Sequence, residues 1–598
     1  MMAMLESFGL SHKTTQNRLR YGVPSSPPVD QALVELMGRM IDMLPDDTLT
    51  TSLVDIYFSR MDCLTHVLHQ EAYMNELGRM MSTTPPGRPA AVRPGWLAIH
   101  LSILCLAFHM LEAGEADRFG VSQDELQLRA HAYYNASHDL LFGADFLTNH
   151  SLEYLQCIIL QGVYLFNTED GPDRHYAIVG SALKIAYNLG LNRLGPETVP
   201  NLQWPRVWQD PIQRDLGRRV WWSLIWYDWQ LSTVYCSTYS ASPAFNFAAL
   251  PGNHDELPIT DSVGALPVAA LPIQEYTSAS CFIFRRHYDT IQRENVDHRR
   301  EHEFDETEYV RRASRRLDAL RSVLPPHFQS LSGAQDAAAR LDRPVVVYEY
   351  FILRSIHLAR VLRVHKHHLL LSYSDRTLFE SGQKGAAAAK ETLLDFHSAW
   401  TECPPLLNYC KCRGLTETDV QGLFLYNGYF AAAIMFFHLC YGLADHQQQA
   451  CRNLLQQTVY IFRQITISTT ARNAVHIIEG LLAAEKDMRG SSPSQTEAIH
   501  DATDRTRSNP MARRALERIL GIGRHAEASD NPATVENVVA SDPIIDVDFA
   551  SLLSGGGWAS GDIDPSIFPP GGSDLDALLG LFGLDPADPA PYHASPFP

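Results

Sequence analysis

The sequence predicts an all-α protein. One large multi-helix domain spans residues 31–525, between a flexible lead-in (residues 1–30) and a disordered acidic tail (residues 526–598). Three observations carry this. Apolar residues recur at three- and four-residue spacing in segment after segment, the period of a helix with one buried face. Strand-like alternation bounded by hairpin turns is nearly absent. At both ends the long apolar side chains give way to Pro, Ser, Gly and acids, a composition that buries too little surface to offset chain entropy.

Taken in order, residues 1–30 are polar, with Lys13, Arg18, Arg20 and the cluster PSSPP. LVELMGRMIDML and SLVDIYFSRMDCLTHVLH then read as two helices. TTPPGRPAAVRPG (83–95) is dense in Pro and Gly and reads as a loop. Helical patterns follow in WLAIHLSILCLAFHMLEA, DELQLRAHAYYNASHDLLF, LEYLQCIILQGVYLFN, YAIVGSALKIAYNLGL and the Trp-rich LGRRVWWSLIWYDWQLS. SPAFNFAALPGNHDELP is a loop, and the charged helix YVRRASRRLDALRSVL stops at Pro325-Pro326. VVVYEYFILRSIHLARVLRVHKHHLLL, AAAAKETLLDFHSAW, RNLLQQTVYIFRQI and ARRALERILGI continue the helical texture.

GLFLYNGYFAAAIMFFHLCYGLA (422–444) carries no charge and is long enough to cross a bilayer. Asn427 and His438 lie within it, small residues interrupt it, and no second span accompanies it. A buried central helix is the better reading, because a helix apolar all round suits the core of a large helical protein equally well. No membrane partner is expected.

The 598 residues are 45% hydrophobic and 20% charged, ordinary for a globular protein, with a net charge of −19. Such a chain repels a phosphate backbone as a whole. Its charge is unevenly placed: no Lys or Arg follows Arg524, whereas the last 73 residues hold twelve Asp and Glu. The ten cysteines are scattered without a C-x-x-C pair, and MMAMLESFGL is no secretory signal. An intracellular protein with reduced thiols is expected.

The segment from Arg218 to Ser232 holds four tryptophans within nine positions and a single carboxylate, Asp228. As a helix it is aromatic on two adjoining faces and therefore buried on most sides. A carboxylate there needs a partner, since an unpaired buried charge costs several kcal/mol. Arg218 is almost three turns away (~15 Å), so a donor on another helix is expected. A structural ion pair is favoured over a ligand site on these physical grounds.

RRVWWSLIWYDWQLS resembles the hallmark of the fungal-specific transcription factor domain, the middle homology region of fungal zinc-cluster regulators. Its pattern is Arg-x-x-Trp-Trp followed by Asp, matched here by Arg218 or Arg219, Trp221, Trp222 and Asp228. LVDIYFSRMDCLTHVLHQEAY (53–73) and DFLTNHSLEYLQCIILQGVYLFN (145–167) look like earlier helices of that family. HYAIVGSALKIAYNLGLNR (175–193) is similar to its next signature through Gly180, Ala182, Ala186, Leu189, Gly190, Leu191 and Arg193. LPGNHDEL (250–257) resembles the Leu-Pro-x-Asn-x-Asp segment beyond the Trp-Trp helix. The likeness runs over roughly residues 40–520.

Two departures stand out. TYSASPAF replaces the Gly-Arg-Pro turn common after the Trp-Trp helix, and the first cysteine is Cys63, within the regulatory domain. Family members usually begin with a six-cysteine, two-zinc DNA-binding cluster. Zinc is therefore expected only together with such a cluster, and no cofactor is expected in this chain. The resemblance implies a nuclear regulator of metabolic or secondary-metabolite genes, also present in the cytoplasm on one reading. It acts through intramolecular contacts, a homodimer, a DNA-binding partner or a small-molecule inducer. A co-regulator without DNA contact of its own is one rival; an all-α small-molecule-binding protein or enzyme is another.

Other candidates are weaker. His66 and His69 in HVLH lack a third ligand for a metal. Cys403, Cys410 and Cys412 have the wrong spacing for structural zinc. RVHKHHLLL (363–371) reads as the solvated edge of a buried helix, and RRASRRLDALR (311–321) as a surface helix with its charge offset by nearby acids. No phosphate loop, G-x-S-x-G or H-E-x-x-H occurs, and no enzyme is expected.

The tail carries three islands where acids flank apolar residues: DVDFASLL with Phe549, DIDPSIF with Phe568, and DLDALLGLFGL with Leu575, Leu578, Leu579 and Phe582. Acids keep such a chain solvated and leave the apolar side chains available, so these residues are the expected contacts to transcription machinery or co-activators. A passive solubilising tail is the alternative.

Overall fold

The computed structural model describes residues 31–84, 87–111, 113–165, 171–197, 205, 208–232, 238–259, 270–298, 305–372, 375–402, 423–441, 445–465 and 469–490. Helices and loops make up all of these, and no strand occurs among the described residues. The lead-in and the acidic tail lie outside them. The described chain divides into two compact units, the boundary falling after Val361.

In the larger unit the longer helices are α1 (Gln31–Asp42), α2 (Asp47–Arg60), α3 (Gln70–Ser82), α4 (Pro94–Met110), α5 (Gln123–Gly143), α6 (Leu152–Leu165), α7 (Gly171–Leu189) and α8 (Pro211–Leu231). They are followed by α9 (Ser280–His298), α10 (Glu306–Val323), α11 (Leu331–Leu341) and α12 (Val345–Leu371), whose first part belongs to this unit. The core is organised around α4, which packs against α2, α5 and α6. Every residue of α4 from Gly95 to Met110 is buried, as its apolar composition requires. Some polar side chains that enter this core bond one another and the backbone there. Ser137 on α5 donates to the Ala98 carbonyl at 2.8 Å and receives Gln161 of α6 at 2.9 Å.

The helix ends follow from side chains in the sequence. Asp46 accepts the amides of Thr48 and Leu49 at the start of α2. Ser122 and Glu125 form a reciprocal capping box on α5. Asp210 accepts the Ile212 amide and is followed by Pro211 at the first position of α8. Gly190 ends α7 with φ of 79°, a left-handed conformation that glycine adopts without a Cβ penalty. Gly162 on α6 permits a close approach: a Cβ there would sit 2.6 Å from the Tyr227 hydroxyl of α8.

The single helix expected over SLVDIYFSRMDCLTHVLH is broken. α2 ends at Arg60, one turn covers Asp62–Thr65, and His66 takes a left-handed φ of 47°. Neither Gly nor Pro marks this break. It is held instead by the His66 ring bonded to Asp62 at 2.9 Å and by His69, whose Nδ1 caps α3. The 83–95 loop contains a one-turn helix, Arg88–Ala91. Helix α9 escaped the periodicity argument because half its buried face is polar: Arg285, Arg286, Asp289 and Gln292 are all interior. Helix α10 is the expected surface helix, with Arg311, Arg312, Arg315 and Arg316 exposed.

The smaller unit holds the end of α12, then α13 (Phe379–Glu402, its last residues in the larger unit), α14 (Leu423–Tyr441), α15 (Asp445–Gln464) and α16 (Thr469–Gly490). Helix α14 is the uncharged segment and is buried from Tyr429 to Leu439. No helix among the described residues is long and apolar enough to cross a membrane. Phe396 and Phe462 meet at 5.1 Å, and buried Arg452 pairs with buried Glu485 at 2.7 Å. In the RVHKHHLLL stretch Arg363, Lys366, His367 and Leu371 are partly exposed. His365 and His368 are buried and both bond Ser381. The ARRALERILGI segment lies outside the described residues.

Candidate functional site

The Trp-rich helix α8 is the centre of the family-like motif, and its charges are resolved in the helix and the loops beside it. Arg214 and Arg218, one turn apart, share Glu197 at 2.6 Å each. Arg218 also donates to the carbonyls of Leu194 and Gly195, the two residues that follow the 175–193 signature, so the chain leaving α7 is tied to the Arg of the motif. Burial opposes ionisation of Glu197, but the hydrogen bond from Arg214 and the charge of Arg218 hold it below the usual carboxylate range. Arg219 points elsewhere and pairs with Asp215 at 2.6 Å within the same helix, both side chains being buried. The two arginines that sequence comparison leaves interchangeable therefore have different partners.

Asp228 is 4% exposed and accepts the backbone amides of Ser240, at 3.0 and 2.9 Å, and Ala241, at 2.7 Å. This corrects the expected partner on another helix: the donors lie in the loop that follows α8. Burial raises its carboxyl above the ordinary value, against the pull of the Ala241 and Ser240 amides. The same loop receives three indoles. Trp221 donates to Asn246, Trp222 to the Ala249 carbonyl and Trp229 to the Ala241 carbonyl, at 2.9 to 3.0 Å. The helix is thus clasped along one side by residues 240–249. Trp221 is wholly buried, whereas Trp222 is only half-buried, a second correction.

The LPGNHDEL segment continues this function. Asn253 donates to the carbonyls of Pro272 and Glu275 and accepts the hydroxyls of Thr277 and Ser280, pinning the start of α9. Asp255 receives Arg343 through two bonds, at 2.7 and 3.0 Å. His69 uses both ring nitrogens: Nδ1 accepts the Ala72 amide, so the Nε2 proton goes to the Leu257 carbonyl at 2.7 Å. Such a His has no lone pair left for a metal ion. Gly180, half-buried on α7, has open space around its Cβ position. Cys403, Cys410 and Cys412 lie outside the described residues, as do Phe549, Phe568, Leu575, Leu578, Leu579 and Phe582.

Two arrangements were not visible in the sequence. Glu349 of α12 is 1% exposed, and its carboxyl is raised to about 8 by burial, opposed by a hydrogen bond from Tyr276 and by the charges of Arg343 and Arg285. Its Oε2 has no hydrogen-bond partner. Asp62, Cys63 and Cys281 lie close enough to interact with it electrostatically. The thiols of Cys63 and Cys281 are pushed far up, chiefly by burial, so they are inert rather than nucleophilic. The second arrangement is a cleft of ≈ 480 Å³ between α10 and α12, lined in part by Arg321, Phe328, Arg354 and His357. Only the i, i+3 spacing of Arg354 and His357 hints at it.

Residues 54–262 match the family model of the fungal specific transcription factor domain. That span runs from α2 through the clasp and ends just beyond the Asn253 staple. Relatives include the "Probable transcription factor lepB" of Aspergillus flavus, 23% identical over 431 residues, which cover 69% of this chain and 74% of that protein. The "Agnestins biosynthesis cluster transcription factor AgnL11" of Paecilomyces divaricatus is 27% identical over 206 residues, 33% of this chain and 29% of the relative. The "Aurofusarin cluster transcription factor aurR2" of Gibberella zeae is 26% identical over 181 residues, 30% and 24% of the two chains.

Proposed function

We propose that this chain, which carries a fungal-specific transcription factor domain across residues 54–262, is a non-enzymatic transcription regulator that controls genes of a secondary-metabolite pathway. The observation that carries this reading is the coincidence of the matched span with a built helical core. The Arg, Trp and Asp residues of its signature there form ion pairs and a clasp rather than a catalytic set. The names of two relatives, each given for a gene cluster and one of them for a biosynthesis cluster, support the choice of pathway class. In this reading residues 31–525 are the regulatory part and 526–598 the activating part, reaching transcription machinery or co-activators through the apolar islands. The place of action is the nucleus. Regulation comes from a homodimer, a DNA-binding partner or a small-molecule inducer.

Disrupting the gene and measuring transcripts of the biosynthetic genes beside it tests this. Their expression should fall severalfold, and unchanged transcripts would overturn the assignment.

A second reading, co-regulation through a DNA-binding partner, is favoured by the net charge of −19, which repels a phosphate backbone. Purified residues 1–598 should then bind DNA weakly and without sequence preference. A nanomolar complex with one defined sequence at physiological salt would rule that reading out.

A further inference from the structure

The corner between α2 and α3 is held shut by three hydrogen bonds. Asp62 Oδ2 bonds the His66 ring at 2.9 Å, and the His66 amide donates to the Asp62 carbonyl at 2.6 Å. Arg285 of α9 reaches the corner from the interior and donates from Nη1 to the Leu64 carbonyl. His66 is thereby kept at a φ of 47°, a left-handed conformation that a residue with a Cβ adopts only under restraint. Glu349 of α12 lies within charge reach of Asp62 and Cys63 in this corner and of Cys281 and Arg285 on α9. Among the described residues, Glu349 Oε2 and Arg285 Nε are both buried and both lack a hydrogen-bond partner. One interior cluster therefore holds an unpaired acceptor and an unpaired cationic donor. The other groups facing Glu349 are Tyr276, which donates a hydrogen bond to it, and Arg343. Arg343 is already committed to Asp255 through two bonds. Tyr276, Cys63 and Cys281 are pushed up, chiefly by burial, and keep their protons.

We infer that Glu349 and Arg285 form a proton-driven switch on the α2–α3 corner. While Glu349 is neutral, Arg285 stays on the Leu64 carbonyl and the corner is closed. Loss of the Glu349 proton to solvent leaves a buried carboxylate, which needs a counter-charge. Arg343 is held by Asp255, so Arg285, with its unpaired Nε–H, supplies that charge. A guanidinium–carboxylate pair is charged on both sides and outweighs the bond to a neutral carbonyl. The turn Asp62–Thr65 then loses its interior donor, and His66 is released from the left-handed conformation. Burial, opposed by Tyr276, Arg343 and Arg285, raises the Glu349 carboxyl to about 8, so the change falls between neutral and mildly alkaline pH. His69 in the same corner bonds the Leu257 carbonyl, which connects the switch to the 250–257 segment. The switch does not depend on the regulatory reading above.

The test is amide hydrogen–deuterium exchange of the full chain at pH 6.5 and pH 9, with rates corrected for the intrinsic effect of pH. Protection of residues 62–69 should fall about tenfold or more between the two values in the native protein, while α4 keeps its protection. In Glu349→Gln, which stays neutral, protection of 62–69 should be equal at both values. In Arg285→Gln it should be low at both, because the Leu64 carbonyl has lost its donor. Constant protection in the native protein would overturn the switch, and so would an equal fall in α4, which marks global loosening. A Glu349→Gln protein that follows the native one, or a protected corner in Arg285→Gln, would overturn it as well. Should Arg285→Gln fail to fold by circular dichroism, the comparison of native protein with Glu349→Gln decides.

Discussion

Asp228 on α8 accepts the Ala241 amide at 2.7 Å, thirteen residues further along the chain. The acid of the motif therefore fastens a loop to the helix that carries it. Replacement with Ala leaves the amides of Ser240 and Ala241 without their acceptor, and Asp228→Ala should destabilise the protein by about 2–4 kcal/mol. Asp228→Asn keeps one accepting oxygen and should cost about half as much. Urea unfolding of the two variants checks this; equal losses would show that the carboxylate does not hold the loop.

The two adjacent tryptophans should behave differently. Trp221 is fully buried, meets Tyr187 edge-on at 5.1 Å and bonds Asn246, so Trp221→Ala should cost about 3–5 kcal/mol. Trp222 keeps part of its ring in water, and Trp222→Ala should cost clearly less, about 1–3 kcal/mol. Thermal and urea unfolding of both variants gives the order, and the reverse order would contradict the placement of these rings.

Glu349 should make stability fall as pH rises. Its carboxyl titrates at about 8 in the folded protein, against an ordinary value of 4.5. Between those values the folded chain keeps a proton that the unfolded chain releases. The stabilisation is complete below the lower value and is lost as pH climbs through the upper one, with a limiting slope of about 1.4 kcal/mol per pH unit. Glu349→Gln stays neutral and keeps an acceptor for Tyr276. Its advantage over the native protein should grow from pH 5.5 to pH 8, and parallel stability curves would show that Glu349 is not protonated in the fold.

The helical class and the order of the motif helices were legible in the sequence, because α4, α6 and α14 are apolar nearly throughout and periodicity reports apolar faces directly. The break at His66 was not. A left-handed histidine held by Asp62 and flanked by the His69 cap has no Gly or Pro to announce it. Helix α9 was missed for a related reason, since its interior positions include two arginines and an aspartate: Arg286 pairs with Asp289 one turn on, and Arg285 and Arg286 donate to the carbonyls of Leu64 and Trp222, distant in sequence. For the motif, burial of Trp221 and Asp228 followed from pattern alone. The partner of Asp228 did not, because distance along a helix rules out contacts within that helix but says nothing about the loop that returns to it. Glu349 and Tyr276 are separated by more than seventy residues, as are Tyr288 and His357 by sixty-nine, and no local spacing connects them.

The proposed regulatory role requires the acidic tail to act as its output. Residues 526–598 fused to an unrelated DNA-binding domain, with a reporter behind its site, measure this directly. The fusion should activate the reporter severalfold over the DNA-binding domain alone. Changing Leu578, Leu579 and Phe582 to Ala should remove most of that activation, because these residues supply the apolar face a co-activator would grip. A silent fusion, or one indifferent to the three substitutions, would contradict it.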